Sequence, residues 1–121
     1  MPDSRSSPDG YVYRGVHAHH PALAAALTGV VVPGDVNGTI TPEQHNLRDI
    51  SARSPFTSWT HLRDVAITFA ESSGPGGVVL RLPVGAPVPG STWKWVASPD
   101  FWLEQEVLLR GVRIGAEVTR L

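Results

Sequence analysis

Apolar residues in this chain fall in short blocks, each closed by glycine, proline or a serine-rich cluster. Tyr11-Val12-Tyr13-Arg14 is aromatic and β-branched and reads as a short strand closed by Gly15. His20-Pro21 opens a helix, because proline suits a first helical turn and the Ala/Leu run after it has high propensity. Gly29 is its expected C-terminal cap. Thr41-Pro42-Glu43-Gln44 starts a second helix, with Thr41 as cap and Gln44 completing a capping box, and the pattern fades near Ile50. Phe56 to Trp59 is a second strand, after the break at Ser54-Pro55.

Thr60 to Ala70 carries the clearest helical period. Leu62, Val65, Ala66, Phe69 and Ala70 fall on one stripe, Thr60 is the expected cap, and Ser72 to Gly76 stops the helix. Strands dominate afterwards: Val78 to Leu82, Thr92 to Val96, Glu104 to Leu109, and Val112 to Thr119, the last two flanking Arg110-Gly111. Helices in the first half and strands in the second predict an α+β fold with mainly antiparallel pairing, not a βαβ parallel sheet.

The 121 residues fit one domain, with residues 1–10 as a polar, flexible lead-in to a domain spanning 11–121. Apolar residues make up 41%, enough for one core. Ten basic against eleven acidic side chains give a net charge of -1, which argues against general nucleic-acid binding. The absence of cysteine removes disulfides, thiolate zinc sites and cysteine nucleophiles. No apolar run is long enough to span a membrane, and residues 1–10 lack the apolar stretch of a signal peptide. The expected location is cytoplasmic, or outside the cell by delivery without a classical signal peptide.

Three features could carry chemistry. Glu104-Gln105-Glu106 heads an apolar strand, which places both carboxylates on one face, roughly 6–7 Å apart. Arg14 at a strand end beside Gly15 can offer a guanidinium fork to phosphate while the backbone comes close. Thr57-Ser58-Trp59-Thr60 is a hydroxyl-bearing strand that runs straight into the amphipathic helix. Taken singly, each has a plain alternative: a solvated edge strand, a surface arginine, a strand followed by a cap.

Together and in order, Tyr13-Arg14-Gly15, Phe56-Thr57-Ser58-Trp59-Thr60 and Glu104-Gln105-Glu106-Val107-Leu108-Leu109 resemble the arginine, Ser-Thr-Ser and Glu-x-Glu motifs of the cholera-toxin-like mono-ADP-ribosyltransferases. The resemblance runs from about Tyr11 to the end. It implies two small packed sheets around an NAD cleft, NAD as substrate without a metal, and transfer of ADP-ribose to an arginine of an acceptor protein, with NAD glycohydrolase side activity. Arg14 and Gly15 would meet the NAD phosphates, and Ser58 would bond both Glu106 and a ribose. Thr60 fills the last hydroxyl position. Glu106 would be the catalytic glutamate and Glu104 the group that deprotonates the acceptor. Phe101 and Trp102 would read the acceptor from the turn Ala97 to Leu103. An inhibitor or immunity protein, or a larger parent chain, is a further implied partner.

Two departures bear on activity. Trp59 stands where threonine is usual, so it must pack inward or reshape the site. About a dozen polar residues precede Arg14, where many family members carry a helical region that closes over NAD. The alternative reading is therefore a weakly active or inactive NAD or ADP-ribose-binding module on the same scaffold.

The remaining candidates have structural readings. His17, His19 and His20 could form a metal site or proton relay, but a solvated loop before the helix is the favoured reading. His45 and His61 are expected on helix surfaces. Trp93 and Trp95 alternate on a strand and are expected as core residues or cross-strand partners. Gly74 to Gly77 is a turn and not a phosphate loop, since no Lys-Ser/Thr follows.

Overall fold

The computed structural model describes residues 10–45, 54–85, 90–99 and 106–121. The elements are β1 (Tyr11–Val16), α1 (Leu23–Ala26), α2 (Pro42–His45), β2 (Phe56–Thr60), α3 (Arg63–Ala70), β3 (Val78–Pro83), β4 (Lys94–Ala97), β5 (Glu106–Arg110) and β6 (Glu117–Arg120). The described strands form an antiparallel sheet of six in the order β4-β5-β2-β1-β3-β6, so the fold is α+β with antiparallel pairing.

In place of two packed sheets, the described strands thus share one hydrogen-bonded sheet, but it has a seam. β1 pairs with β3 along its whole length, from Tyr11↔Pro83 to Val16↔Val78, and β2 pairs with β5 from Phe56↔Arg110 to Thr60↔Glu106. Between β1 and β2 the register holds at Tyr13↔Thr60 alone. Two three-stranded halves, β4-β5-β2 and β1-β3-β6, therefore meet at one residue pair.

Alternation along β1 sends Val12 and Val16 to one face and Tyr11 and Tyr13 to the other. The first face joins Trp59, Val78, Leu80, Leu82 and Leu109 in the main core, with Leu23 and Leu27 packed against it. The second takes α3: Tyr13, Val79, Ala66 and Ala70 form a smaller cluster. The helix lies on bare backbone there. A Cβ on Gly15 would come within 1.9 Å of the Ala66 oxygen, and one on Gly77 within 2.0 Å of the Ala70 oxygen. This contact is why β1 runs through Gly15 to Val16 and does not stop at Arg14.

Other boundaries shift for local reasons. α1 is a single turn that ends as expected at Gly29, whose φ is +77° and whose N–H donates to Ala26 at 2.9 Å. The capping box of α2 forms: the Gln44 side chain accepts from the Thr41 N–H at 2.8 Å, and the Thr41 hydroxyl accepts from the Gln44 N–H at 3.2 Å. Thr60 does not cap α3. It belongs to β2, its hydroxyl accepts from the Leu62 N–H at 3.0 Å, and Leu62 is the capping residue. The stripe of α3 is only partly buried, with Phe69 at 53% exposure.

The segments on either side of Arg110-Gly111 are not neighbours. β5 lies between β4 and β2, and β6 is at the opposite edge beside β3. After Gly111 the chain is led away by a bridge between Val31 and Arg113 and by the Ala116 N–H bonding to Gly29. Trp95 and the adjoining Trp93 pack against the core as expected, and the Arg113 guanidinium stacks 3.7 Å from the Trp93 ring centre. The expected lead-in, apart from Gly10, lies outside the described residues.

Candidate functional site

The seam opens a cleft. Past Tyr13↔Thr60 the β1–β2 ladder does not continue, and a side chain takes over: Arg14 Nη1 donates to the Ser58 main-chain oxygen at 3.2 Å. Arg14 occupies the alternation position between Val12 and Val16, where the core face calls for an apolar residue. Burial lowers its pKa to about 10, and the neighbouring Glu106 carboxylate acts in the opposite sense. A cation kept at a core position, against its desolvation cost, points to a ligand role.

Tyr13, Arg14, Gly15, Ser58, Thr60 and Glu106 all line this cleft, of about 290 Å³. They come from β1, β2 and the first residue of β5. Register explains the convergence: Thr60 is directly opposite Glu106, and Ser58 lies two residues along on the same face of β2. Val65 and Phe69 of α3 form the apolar wall, which accounts for the exposed part of the α3 stripe. A second cleft of about 730 Å³ shares Arg14, Ser58, His20 and His45 with the first and extends between α1, Pro33 and Phe56.

The hydrogen bonds within the site depart from the expected set. Ser58 Oγ is 2.8 Å from His45 Nε2, and Glu106 Oε1 accepts from the Ser98 hydroxyl at 2.5 Å. His45 is not on a helix surface. It is 8% exposed at the end of α2, its Nδ1 is 2.6 Å from the Ser54 hydroxyl, and its ring meets Phe56 edge-on. Burial first, and Arg14 second, push its pKa down to about 4, so the ring is neutral and links two serines. His61 lies outside α3, partly buried just before it, and so is not on a helix surface either.

Trp59 packs inward. It is 1% exposed, its Nε1–H donates to the Thr57 hydroxyl at 3.0 Å, and its ring meets Trp95 edge-on. Trp59 contributes to the cleft lining while its ring is buried in the core. Gly15 lines the cleft, yet its missing side chain is required by α3 behind it.

The histidine tract is not simply a solvated loop. His17 and His20 both line the cleft, and His17 Nδ1 is 3.2 Å from the Ser73 hydroxyl, which ties the loop after β1 to the one after α3. Among the described residues no group of three or more His, Asp or Glu side chains could hold a metal ion, and no helix is long and apolar enough to cross a membrane. Glu104, Phe101 and Trp102 lie outside the described residues.

His45, His20, Ser54 and Ser98 are the site residues that sequence reasoning missed. Ser98 falls within the turn assigned to acceptor reading, and His45 is expected on the surface of the helix that starts at Thr41. Neither signal marks the side chain as inward-facing. In comparisons with family models, curated proteins and solved structures, the chain matches none.

Proposed function

We propose that this protein is an NAD-dependent mono-ADP-ribosyltransferase that modifies an arginine on a target protein, with NAD glycohydrolase side activity. The observation that carries the reading is that Arg14, Ser58 and Glu106, distant in sequence, line one cleft. The seam between two three-stranded halves also suits the two-sheet NAD cleft of the family that the motifs resemble.

In this reading the Arg14 fork holds the NAD diphosphate. The bond from the ribose carbon to the nicotinamide nitrogen breaks, and nicotinamide leaves with the electron pair. The Glu106 carboxylate stabilises the positive charge that develops on the ribose, as a carboxylate does in glycoside hydrolysis. Ser58, held by His45, positions the ribose side. The acceptor guanidinium nitrogen attacks the ribose carbon and gives its proton to Glu104; water in its place gives hydrolysis.

The deciding experiment is nicotinamide release from NAD by the wild-type chain and by Glu106→Gln. Release by the wild type, reduced at least about 100-fold in the variant at unchanged melting temperature, supports the reading. Equal release by both removes Glu106 from the chemistry. NAD binding without turnover in the wild type would replace the enzyme with a binding module.

A further inference from the structure

The two clefts share four polar residues: Arg14, Ser58, His20 and His45. Only the smaller cleft contains Glu106, and only the larger contains α1, Pro33 and Phe56. If the proposed substrate is right, a dinucleotide would place one nucleoside half in each cleft and its diphosphate at the shared residues. His45 offers little more to a ligand, because both of its ring nitrogens are within bonding distance of serine hydroxyls; one of these is Ser58 Oγ, which the proposed function gives to the ribose.

His20 is different. Its Nδ1 accepts the Ala22 main-chain N–H at 2.9 Å. An accepting Nδ1 fixes the neutral ring as the Nε2–H tautomer. No hydrogen bond among the described residues engages Nε2. The groups that face the ring keep it neutral: burial first, then Arg14 and His17, hold its pKa at about 4. His17 meets it edge-on, with ring centres 5.3 Å apart. The result is a donor of fixed direction that adds no second charge beside a buried guanidinium.

We infer that His20 is a ligand-binding residue whose Nε2–H donates to a diphosphate oxygen held by Arg14. The inference rests on the NAD reading above and adds a residue that the Arg, Ser-Thr-Ser and Glu-x-Glu motifs do not contain. The backbone bond from Ala22 sets the tautomer, so the turn that starts α1 also prepares the site. A nucleoside diphosphate such as ADP-ribose is the matching ligand class.

The test titrates the wild-type chain with ADP-ribose and follows the histidine ring nitrogens by NMR, alongside calorimetry on His20→Asn and His20→Gln. Asparagine places its Oδ1 where Nδ1 stands, so it retains the Ala22 bond but cannot reach the ligand. Glutamine reaches the ligand and gives up the Ala22 bond. The expected result is a shifted His20 Nε2–H signal on binding, about ten-fold or more weaker binding for Asn, and partial recovery for Gln. If Asn binds as the wild type does, or the ring signal stays still while ADP-ribose binds, the role of His20 is overturned and the NAD reading stands. If the wild type neither binds ADP-ribose nor releases nicotinamide, both fall. Should the Asn chain fail to fold, the wild-type ring signals decide alone.

Discussion

Arg14 and Ser58 are on adjacent strands, yet their bond runs from a guanidinium to a main-chain oxygen, where a ladder bond would otherwise be expected. The side chain that would hold the ligand therefore also closes the sheet. Its burial carries a desolvation cost, seen in the lowered pKa, but removing it takes the donor from the Ser58 oxygen and the cation from beside Glu106. Arg14→Met should melt lower than the wild type, by about 1–3 kcal/mol in stability, and bind no ADP-ribose. Calorimetric melting and binding on one sample check both halves of the statement.

The contact of α3 with Gly15 leaves no room for a methyl group. Gly15→Ala puts a Cβ 1.9 Å from the Ala66 oxygen, and backbone atoms, unlike a flexible side chain, cannot swing aside. The expected cost is about 3 kcal/mol or more, read as a shifted urea midpoint. Gly85→Ala, where nothing lies within 4 Å, is the control and should shift the midpoint little.

Trp59 fills the core behind the site. Trp59→Thr would bring the sequence to the usual family residue, yet it should cost about 3 kcal/mol or more through the cavity it leaves. Trp59→Phe keeps most of the volume and strands the Thr57 hydroxyl, for a loss of about 1–2 kcal/mol. Urea unfolding of the two variants should give that order. Equal midpoints would mean the ring is not packed.

Two histidines give stability a pH dependence with a definite sign. Burial lowers His20 and His45 from 6.5 to about 4 in the folded chain. Unfolding restores both, so the unfolded chain binds more protons between about pH 4 and 6.5. Their contribution is complete above about pH 6.5, declines as the pH falls, and levels off below about 4. Melting temperature followed from pH 7.5 to 4 should drop, and should drop less in His20→Asn. A flat profile would mean that the rings are open to water.

Glu104→Gln separates the two outcomes of the proposed chemistry. Transfer to agmatine should fall at least about ten-fold further than NAD hydrolysis, because only transfer needs the acceptor deprotonated. A parallel loss of both would give Glu104 a part in breaking the glycosidic bond.

The strands and the turn chemistry were legible because they depend on local composition. β-branched runs, the Thr41–Gln44 box and the glycine after α1 each act over a few residues, and each forms. The separation of β5 from β6 was not legible, since Arg110-Gly111 has the composition of a hairpin turn and only the distant Val31 and Gly29 draw the chain elsewhere. Arg14, Gly15, Ser58, Thr60 and Glu106 could be named from motif order. His45 and His20 could not, because a histidine at a short helix end or in a polar loop carries no mark of burial. Their inward position depends on Ser54, Ser58 and Ala22, which sequence separation or backbone geometry hides.

The sheet order also bears on how the site comes into being during folding. β1, β2 and β5 contribute residues 14, 58 and 106, and β5 reaches the cleft only through its ladder with β2. Each join closes a loop of some forty residues or more, the kind of non-local pairing that folds slowly. On the proposed function, a chain still emerging from the ribosome, or cut before β5, would lack Glu106 and could not consume NAD in the cell that makes it, and catalysis would await the completed sheet.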